Sequence, residues 1–351
     1  MIARRIANCL AGVALALCGS ALAEDALLFD TDAPLVVELR APFTRIHGLT
    51  PDQAPRESAG QATFRPKGAP KAKFKVRIQQ RGNLRRRACS LPPLRLNFVK
   101  KETAGTLLDG QNKLKLVGVC ERQSHYRRFV MLELFSYRAF SLLTPASFDT
   151  RLLELRYIDT AGDDSMRRPG FVIEDVDDLA DRLGYEELGV AKISPSELDR
   201  DAAALVELFA LMIGNTDFST VRGPAESDCC HNVKLLSGGA DGIIPVPYDF
   251  DSAGIVDPPY AAPSEKLPIE DVRTRYFNGI CKAPEHFEQA RAVMLAQKDG
   301  VMALFEDHEG LSNKVRSKTV RYVRDFFAML ESDEAFERDV ITACVGPGSK
   351  D

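Results

Sequence analysis

SPSELDRDAAALVELFALMIGNTD, residues 194–217, is the stretch on which the fold reading turns. Ser194-Pro195-Ser196-Glu197 has the form of a capping box, with proline at the first helical position and a glutamate placed to reach back to the opening backbone N–H. Leu198, Ala202, Leu205, Phe209 and Met212 follow at alternating spacings of four and three, which draws one apolar stripe along a helix. Gly214 ends it, because glycine takes the left-handed backbone of a helix terminus without a Cβ penalty. The helix therefore buries one face and delivers Asn215, Thr216 and Asp217 at its exit.

Downstream, His231 to Leu236 and Ile243 to Tyr248 read as short strands joined by Gly238-Gly239-Ala240-Asp241-Gly242, a hairpin signal. Beyond residue 268 the pattern is helical, most clearly from Leu311 to Leu330. Upstream the character is strand-like. Lys73 to Gln79 alternates, with Phe74, Val76 and Ile78 on one face and Lys73, Lys75 and Arg77 on the other. Further strands are expected at Leu35 to Leu39, Leu94 to Phe98, Leu114 to Val119, Leu152 to Ile158 and Gly170 to Glu174, with one helix from about Tyr126 to Leu143. The polar stretch holding Pro51, Pro55, Gly60, Pro66 and Pro70 reads as a loop. This order predicts an α+β chain of two lobes: an N-terminal strand and loop extension over 24–72, a strand-rich lobe with a hinge over 73–184, and a helix-rich lobe over 185–344.

Residues 1–23 have the order of a secretory signal peptide: Arg4 and Arg5, an uncharged run from Ile6 to Leu17, then Ala21-Leu22-Ala23 before Glu24. The apolar run is too short for a membrane span, and no later segment is long and apolar enough for one. Periplasmic or secreted location is therefore expected. Cleavage removes two arginines, leaving 44 basic against 50 acidic residues, so nucleic acid is not an expected partner. Six cysteines remain: Cys89, Cys120, Cys229, Cys230, Cys281 and Cys344. Their even number favours disulfides in an oxidising compartment. Adjacent Cys229 and Cys230 would bridge each other only with strain, so at least one is expected to reach a distant partner.

The chemistry gathers where the capped helix ends. Asp217 leaves that helix, His231-Asn232 heads the first hairpin strand, and Asp249-Phe250-Asp251 closes the second. A hairpin returns the chain beside its start, so Asn232 and Asp249 fall at one end of the ladder, where Asp217 can face them. Carboxylates and an amide converging in this way suit a hard cation such as magnesium, which is held by one or two carboxylates plus substrate phosphates. The same Asp and Asn residues would equally serve as turn and cap residues. The histidines, His47, His125, His231, His286 and His308, show no local metal-ligand spacing, and there is no G-x-S-x-G elbow.

Five segments, Gln80-Arg81-Gly82-Asn83, Pro92 to Phe98, Phe171 to Asp177, Gly214 to Asp217 and Pro247 to Asp251, together resemble the CotH family of atypical, spore-coat-type protein kinases, over roughly residues 75 to 285 and in the family's order. The resemblance implies a two-lobed atypical protein-kinase-like fold and transfer of the γ-phosphate of ATP to a hydroxyl, protein Ser or Thr, with Mg or Mn. On that pattern Asp217 would orient or deprotonate the acceptor, while Asn232, Asp249 and Asp251 would hold metal. Phe171 to Asp175, with Glu174, would be the hinge that meets the adenine. Lys115, on a strand before the Tyr126 to Leu143 helix, would anchor phosphates and pair with Glu133 on that helix; the alternative leaves Lys115 in solvent and Glu133 in a surface helix pair.

Departures from the family pattern are plain. There is no G-x-G-x-x-G loop, so Arg81-Gly82-Asn83 with Arg85, Arg86 and Arg87 would have to cover the phosphates. Asn97 stands where related sequences tend to have lysine, and Asp217 and Asn232 are fifteen residues apart, against about five in a standard kinase catalytic loop. Two rival readings remain: an exported binding or surface protein without turnover, and a nucleotidyl transferase on the same scaffold.

Overall fold

The computed structural model describes residues 27–162, 164–224, 228–306 and 310–346. The expected signal peptide, residues 1–23, and His308 lie outside the described residues. The elements are β1 (Leu35–Ala41), α1 (Phe43–His47), β2 (Ser58–Arg65), β3 (Ala72–Gln80), α2 (Leu84–Ala88), β4 (Leu94–Asn97), α3 (Lys100–Thr103), β5 (Lys113–Gly118), α4 (Arg127–Ser141), β6 (Thr150–Asp159), β7 (Ser165–Ile173), α5 (Val176–Leu183) and β8 (Glu186–Glu187). After these come α6 (Arg200–Ile213), β9 (Val233–Ser237), β10 (Ile244–Pro247), α7 (Pro284–Ala296), α8 (Lys298–Glu306), α9 (Asn313–Glu331) and α10 (Asp333–Phe336).

Strands β1 to β7 roll into a closed barrel in the order β1-β2-β3-β4-β5-β7-β6. The seam is parallel, with β1 beside β6 and Val37 opposite Leu155, while the other pairings are antiparallel. The α+β composition expected from sequence holds, but the two-lobed kinase-like layout does not: in place of an open strand-rich lobe stands a closed mixed barrel. The closing strands come from the stretch read as extension and loop. β1 buries Leu35, Val37, Leu39 and Ala41 at alternate positions, and β2 buries only Ala62 and Phe64. With so few apolar positions β2 has little periodicity, yet its backbone is satisfied by pairing on both sides. Gly60, read as loop punctuation, lies where neighbouring strands approach: a Cβ there would meet the Arg40 carbonyl at 2.9 Å and the Ala41 Cβ at 3.0 Å.

Alternation fills the barrel. Phe74, Val76 and Ile78 of β3, Leu94 and Leu96 of β4, Leu114 and Leu116 of β5, and Val172 of β7 join one buried interior cluster. The intervening residues then point outward, which sets Lys115 on the outer face directly across from Arg95. A second core lies outside the barrel. α4 is buried almost throughout; it packs on β7 and on α8, and Phe140 meets Phe209 of α6 in the same core that α7 and α9 join. Each of its fully buried phenylalanines contributes roughly 1.5 to 3 kcal/mol relative to exposure. α6 is buried from Ala203 to Ile213 and carries the small sheet β10-β9-β8 beside it.

The capping box forms but caps a different element. Glu197 accepts from the Ser194 N–H at 2.8 Å around a 3-10 turn over Pro195–Glu197. Leu198 is then extended and bridges to Ile243, and the helix restarts at Asp199, whose carboxylate accepts from the Ala202 N–H at 2.9 Å. Three disulfides tie the chain: Cys89–Cys120, Cys229–Cys230 and Cys281–Cys344. The adjacent cysteines thus bridge each other rather than a distant partner, because the other four pair among themselves. The flanking backbone is held at both residues, Cys229 N–H to the Val190 carbonyl at 2.6 Å and Cys230 N–H to that of Val233 at 3.2 Å. These disulfides fit a protein of an oxidising compartment outside the cytosol. Among the described residues no helix is long and apolar enough to cross a membrane.

Candidate functional site

Gly214 takes the left-handed backbone, φ 67°, and turns the chain out of α6. Asn215, buried at the turn, accepts the Asp217 N–H on its side-chain oxygen at 3.0 Å. This Asx turn presents the Asp217 carboxylate to the head of the hairpin. His231 Nε2 lies 2.6 Å from Asp217 Oδ1, and the Asn232 amide donates to Asp217 Oδ2 at 3.1 Å and to its carbonyl at 2.7 Å. The hydrogen bond with Asp217 is the main reason the His231 pKa is raised.

Strands β9 and β10 end side by side, with the Tyr248 N–H donating to the Asn232 carbonyl at 2.9 Å. Asn232 and Asp249 flank that closure in left-handed conformations, φ 52° and 61°, which Asn and Asp tolerate better than other non-glycine residues. The Asp249 N–H donates to Tyr137 Oη on α4 at 2.8 Å. Its carboxylate meets no hydrogen-bond or ion-pair partner among the described residues.

These groups open into a cleft of about 740 Å³ between the barrel and the helical layer. It gathers Arg81, Gly82, Asn83, Lys115, Asp217, Asn232, Asp249 and Asp251. The barrel supplies cations, Arg81 from the end of β3, Arg95 from β4 and Lys113 and Lys115 from β5. The segments around the hairpin supply most of the acids. Cys230 of the adjacent-cysteine disulfide is also at its edge.

Lys115 is 7 % exposed and has its ammonium 5.1 Å from the Phe148 ring centre and 5.2 Å from that of Tyr248. Burial, helped by Arg81, lowers its pKa from 10.5 to about 8. The expected lysine–glutamate pair is not formed. Glu133, fully buried on α4, instead accepts from Arg85 Nη2 at 2.7 Å, and Arg85 Nε meets Asp251 Oδ2 at 2.8 Å. Burial raises the pKa of both acids against the pull of Arg85. Glu174 also lies off the cleft, clasped by Arg182 Nη2 at 3.0 Å and by the Asp149 N–H at 3.1 Å.

No family model matches this chain, and no curated protein matches it. The site is therefore read from its own geometry.

Sequence reasoning left without an individual role Arg85, Tyr137, Tyr260, whose Oη accepts from Arg85 Nε at 3.0 Å, and Arg95 and Lys234, which line the cleft. Arg85 sits in the run Arg85-Arg86-Arg87, and three consecutive side chains on a five-residue helix diverge. Arg85 turns inward; Arg86 reaches the Gln80 side chain at 3.0 Å and the Thr50 carbonyl at 3.1 Å; Arg87 is exposed. Composition marks the run as basic but does not show which arginine is buried.

A divalent cation was expected here. Among the described residues no three His, Cys, Asp or Glu side chains are grouped so as to hold a metal ion. Asp251 is committed to Arg85, and Asn232 spends its amide hydrogens on Asp217. What remains for an ion is the free Asp249 carboxylate and the Asn232 amide oxygen. That donor set does not make an all-protein cage. It does fit magnesium or manganese carried in by phosphates, since such ions keep few protein ligands.

Proposed function

We propose that this cleft takes a nucleoside triphosphate with Mg or Mn and passes the terminal phosphoryl group to a hydroxyl, a protein serine or threonine, outside the cytoplasm. The observation that carries the reading is the convergence of Arg81, Asn83, Lys115, Asp217, Asn232 and Asp249 from distant segments into one cleft, cations from the barrel and acids from the hairpin side. Arg81, Asn83, Asp217 and Asp249 also belong to the segments that resemble the CotH family, so we place the likeness in the site, on a scaffold that is a closed barrel.

In this proposal the cations of the barrel face hold the phosphate chain, where partial burial strengthens each charge. Asp249 and Asn232 would hold the ion, which when bound neutralises phosphate charge. Asp217 positions the acceptor. Its two carboxylate oxygens accept from His231 and Asn232 and retain lone pairs for a hydroxyl proton, and that grip fixes the carboxylate's direction before an acceptor arrives. Tyr248, one of the two rings at Lys115, supplies apolar surface in the cleft next to the cations that would hold phosphate.

A second reading, binding without turnover, draws support from the same grip, because a carboxylate already engaged on both oxygens is a weaker base. Purified protein with its disulfides intact, incubated with ATP labelled at the γ or the α position and with Mg or Mn, separates the readings. Transfer from the γ position that Asp217→Asn abolishes supports the phosphotransferase. Transfer of α label points to a nucleotidyl transferase; binding without transfer leaves a receptor.

A further inference from the structure

Arg85 has one guanidinium nitrogen without a partner among the described residues. Its side chain is 5 % exposed; Nη2 is used on Glu133, and Nε on Asp251 and on Tyr260 Oη at 3.0 Å. Nη1 is enclosed and meets no acceptor among the described residues, although Arg85 itself lines the cleft. Glu133 Oε1 is likewise without a partner among the described residues. A buried charged donor with nothing to bond is costly, so its persistence calls for a group that completes it. The immediate surroundings specify that group's chemistry. Asp249, Asp251 and Glu133 crowd Arg85, so a bare anion is repelled and an anion accompanied by a divalent cation is accepted.

Lys115 is the rival anchor, and it is differently placed. Among the described residues no carboxylate pairs with it; two aromatic faces hold it. Arg85, by contrast, is clamped by α4 and by the loop after β10, and a locked planar guanidinium is suited to phosphoryl oxygens. We propose that Arg85 is the main phosphate anchor of the cleft: Nη1 donates to a phosphoryl oxygen of a metal-bound polyphosphate while Glu133 and Asp251 lock the rest of the guanidinium. Lys115 takes the lesser share. This rests on the nucleotide reading of the cleft.

The test is titration calorimetry of the full protein with pyrophosphate in the presence of Mg, for wild type, Lys115→Met, Arg85→Lys and the double variant Arg85→Met with Glu133→Gln. The double variant removes Arg85 together with Glu133, its fully buried partner, and leaves Asp251 the hydroxyl groups of Ser252 and Tyr260 as donors. Thermal melts confirm that each protein is folded at the titration temperature. Both Arg85 variants are expected to bind at least about tenfold more weakly than wild type, and more weakly than Lys115→Met. A merely structural arginine would lower the melting temperature and leave the affinity of the folded protein unchanged. The proposal is overturned when folded Arg85→Lys and the double variant bind as wild type does, or when Lys115→Met alone loses binding. Should wild type take up no pyrophosphate with either Mg or Mn, the nucleotide reading itself falls.

Discussion

Replacing Lys115 by methionine should make the protein more stable and less able to hold an anion. The side chain is 7 % exposed and its pKa falls from 10.5 to about 8, through burial first and Arg81 second. That displacement corresponds to about 3 kcal/mol against the folded state while the amine is charged. The ammonium's attraction to Phe148 and Tyr248 offsets about 1 to 2 kcal/mol of it. Methionine fills similar volume and carries no charge, so Lys115→Met should gain about 1 to 2 kcal/mol at neutral pH. The sign of the pH dependence follows from linkage. A lysine whose folded pKa is depressed imposes its full cost below about 8, where it is charged in both states, and the cost fades as pH rises from there to 10.5. Guanidinium denaturation with disulfides intact, run at pH 6.5 and again near pH 10.5, measures both. The advantage of the variant should be present at the lower pH and shrink at the higher. A variant that is less stable at pH 6.5, or whose difference from wild type does not change with pH, would refute this account of a cation held in the cleft against its own burial.

Other positions give independent checks. Gly214→Ala should cost at least about 2 kcal/mol in chemical denaturation, because φ is 67° and the new Cβ would collide with Tyr322 Oη; a neutral result would mean that the exit of α6 is not fixed as described. Replacing Cys281 and Cys344 by serine opens a loop of 63 residues and should lower stability by about 4 kcal/mol, read by the same method. Asp217→Asn should bring the His231 titration midpoint, followed by NMR, down from its raised value, since the hydrogen bond to Asp217 is its main cause. In wild type the stabilisation from that pair is complete below the ordinary imidazole pKa and is lost as pH rises through the raised one. An unchanged midpoint would contradict the contact.

The convergence of Asp217, Asn232 and Asp249 was legible because it depends on local rules: a glycine helix stop, an Asx turn and a hairpin that returns on itself. The β3 alternation was legible for a similar reason, its period being visible within nine residues. Barrel closure was not. It rests on β1 finding β6 far along the chain, and on β2, whose exposed polar positions and Gly60 imitate a loop until a strand lies on either side. The partner of Glu133 was hidden too. Lysine 115 and arginines 85, 86 and 87 are equivalent to a count of charges, and only packing decides that Arg85 is the one turned inward. Similarly, the capping box was read correctly as a box but assigned to the wrong element, because the extended Leu198 that separates it from α6 is set by a bridge to Ile243 in the distant hairpin.

The most direct measurement is manganese EPR on the purified protein with and without ATP. Free Mn gives a sharp six-line signal that is lost on binding. Asp249 is the carboxylate left for an ion beside Asn232, too few ligands to hold one alone, so wild type should leave Mn largely free when alone and take it up when ATP is present, beyond the uptake of ATP by itself, and Asp249→Asn should lose that uptake. Equal signals for wild type and Asp249→Asn in the presence of ATP would contradict the account.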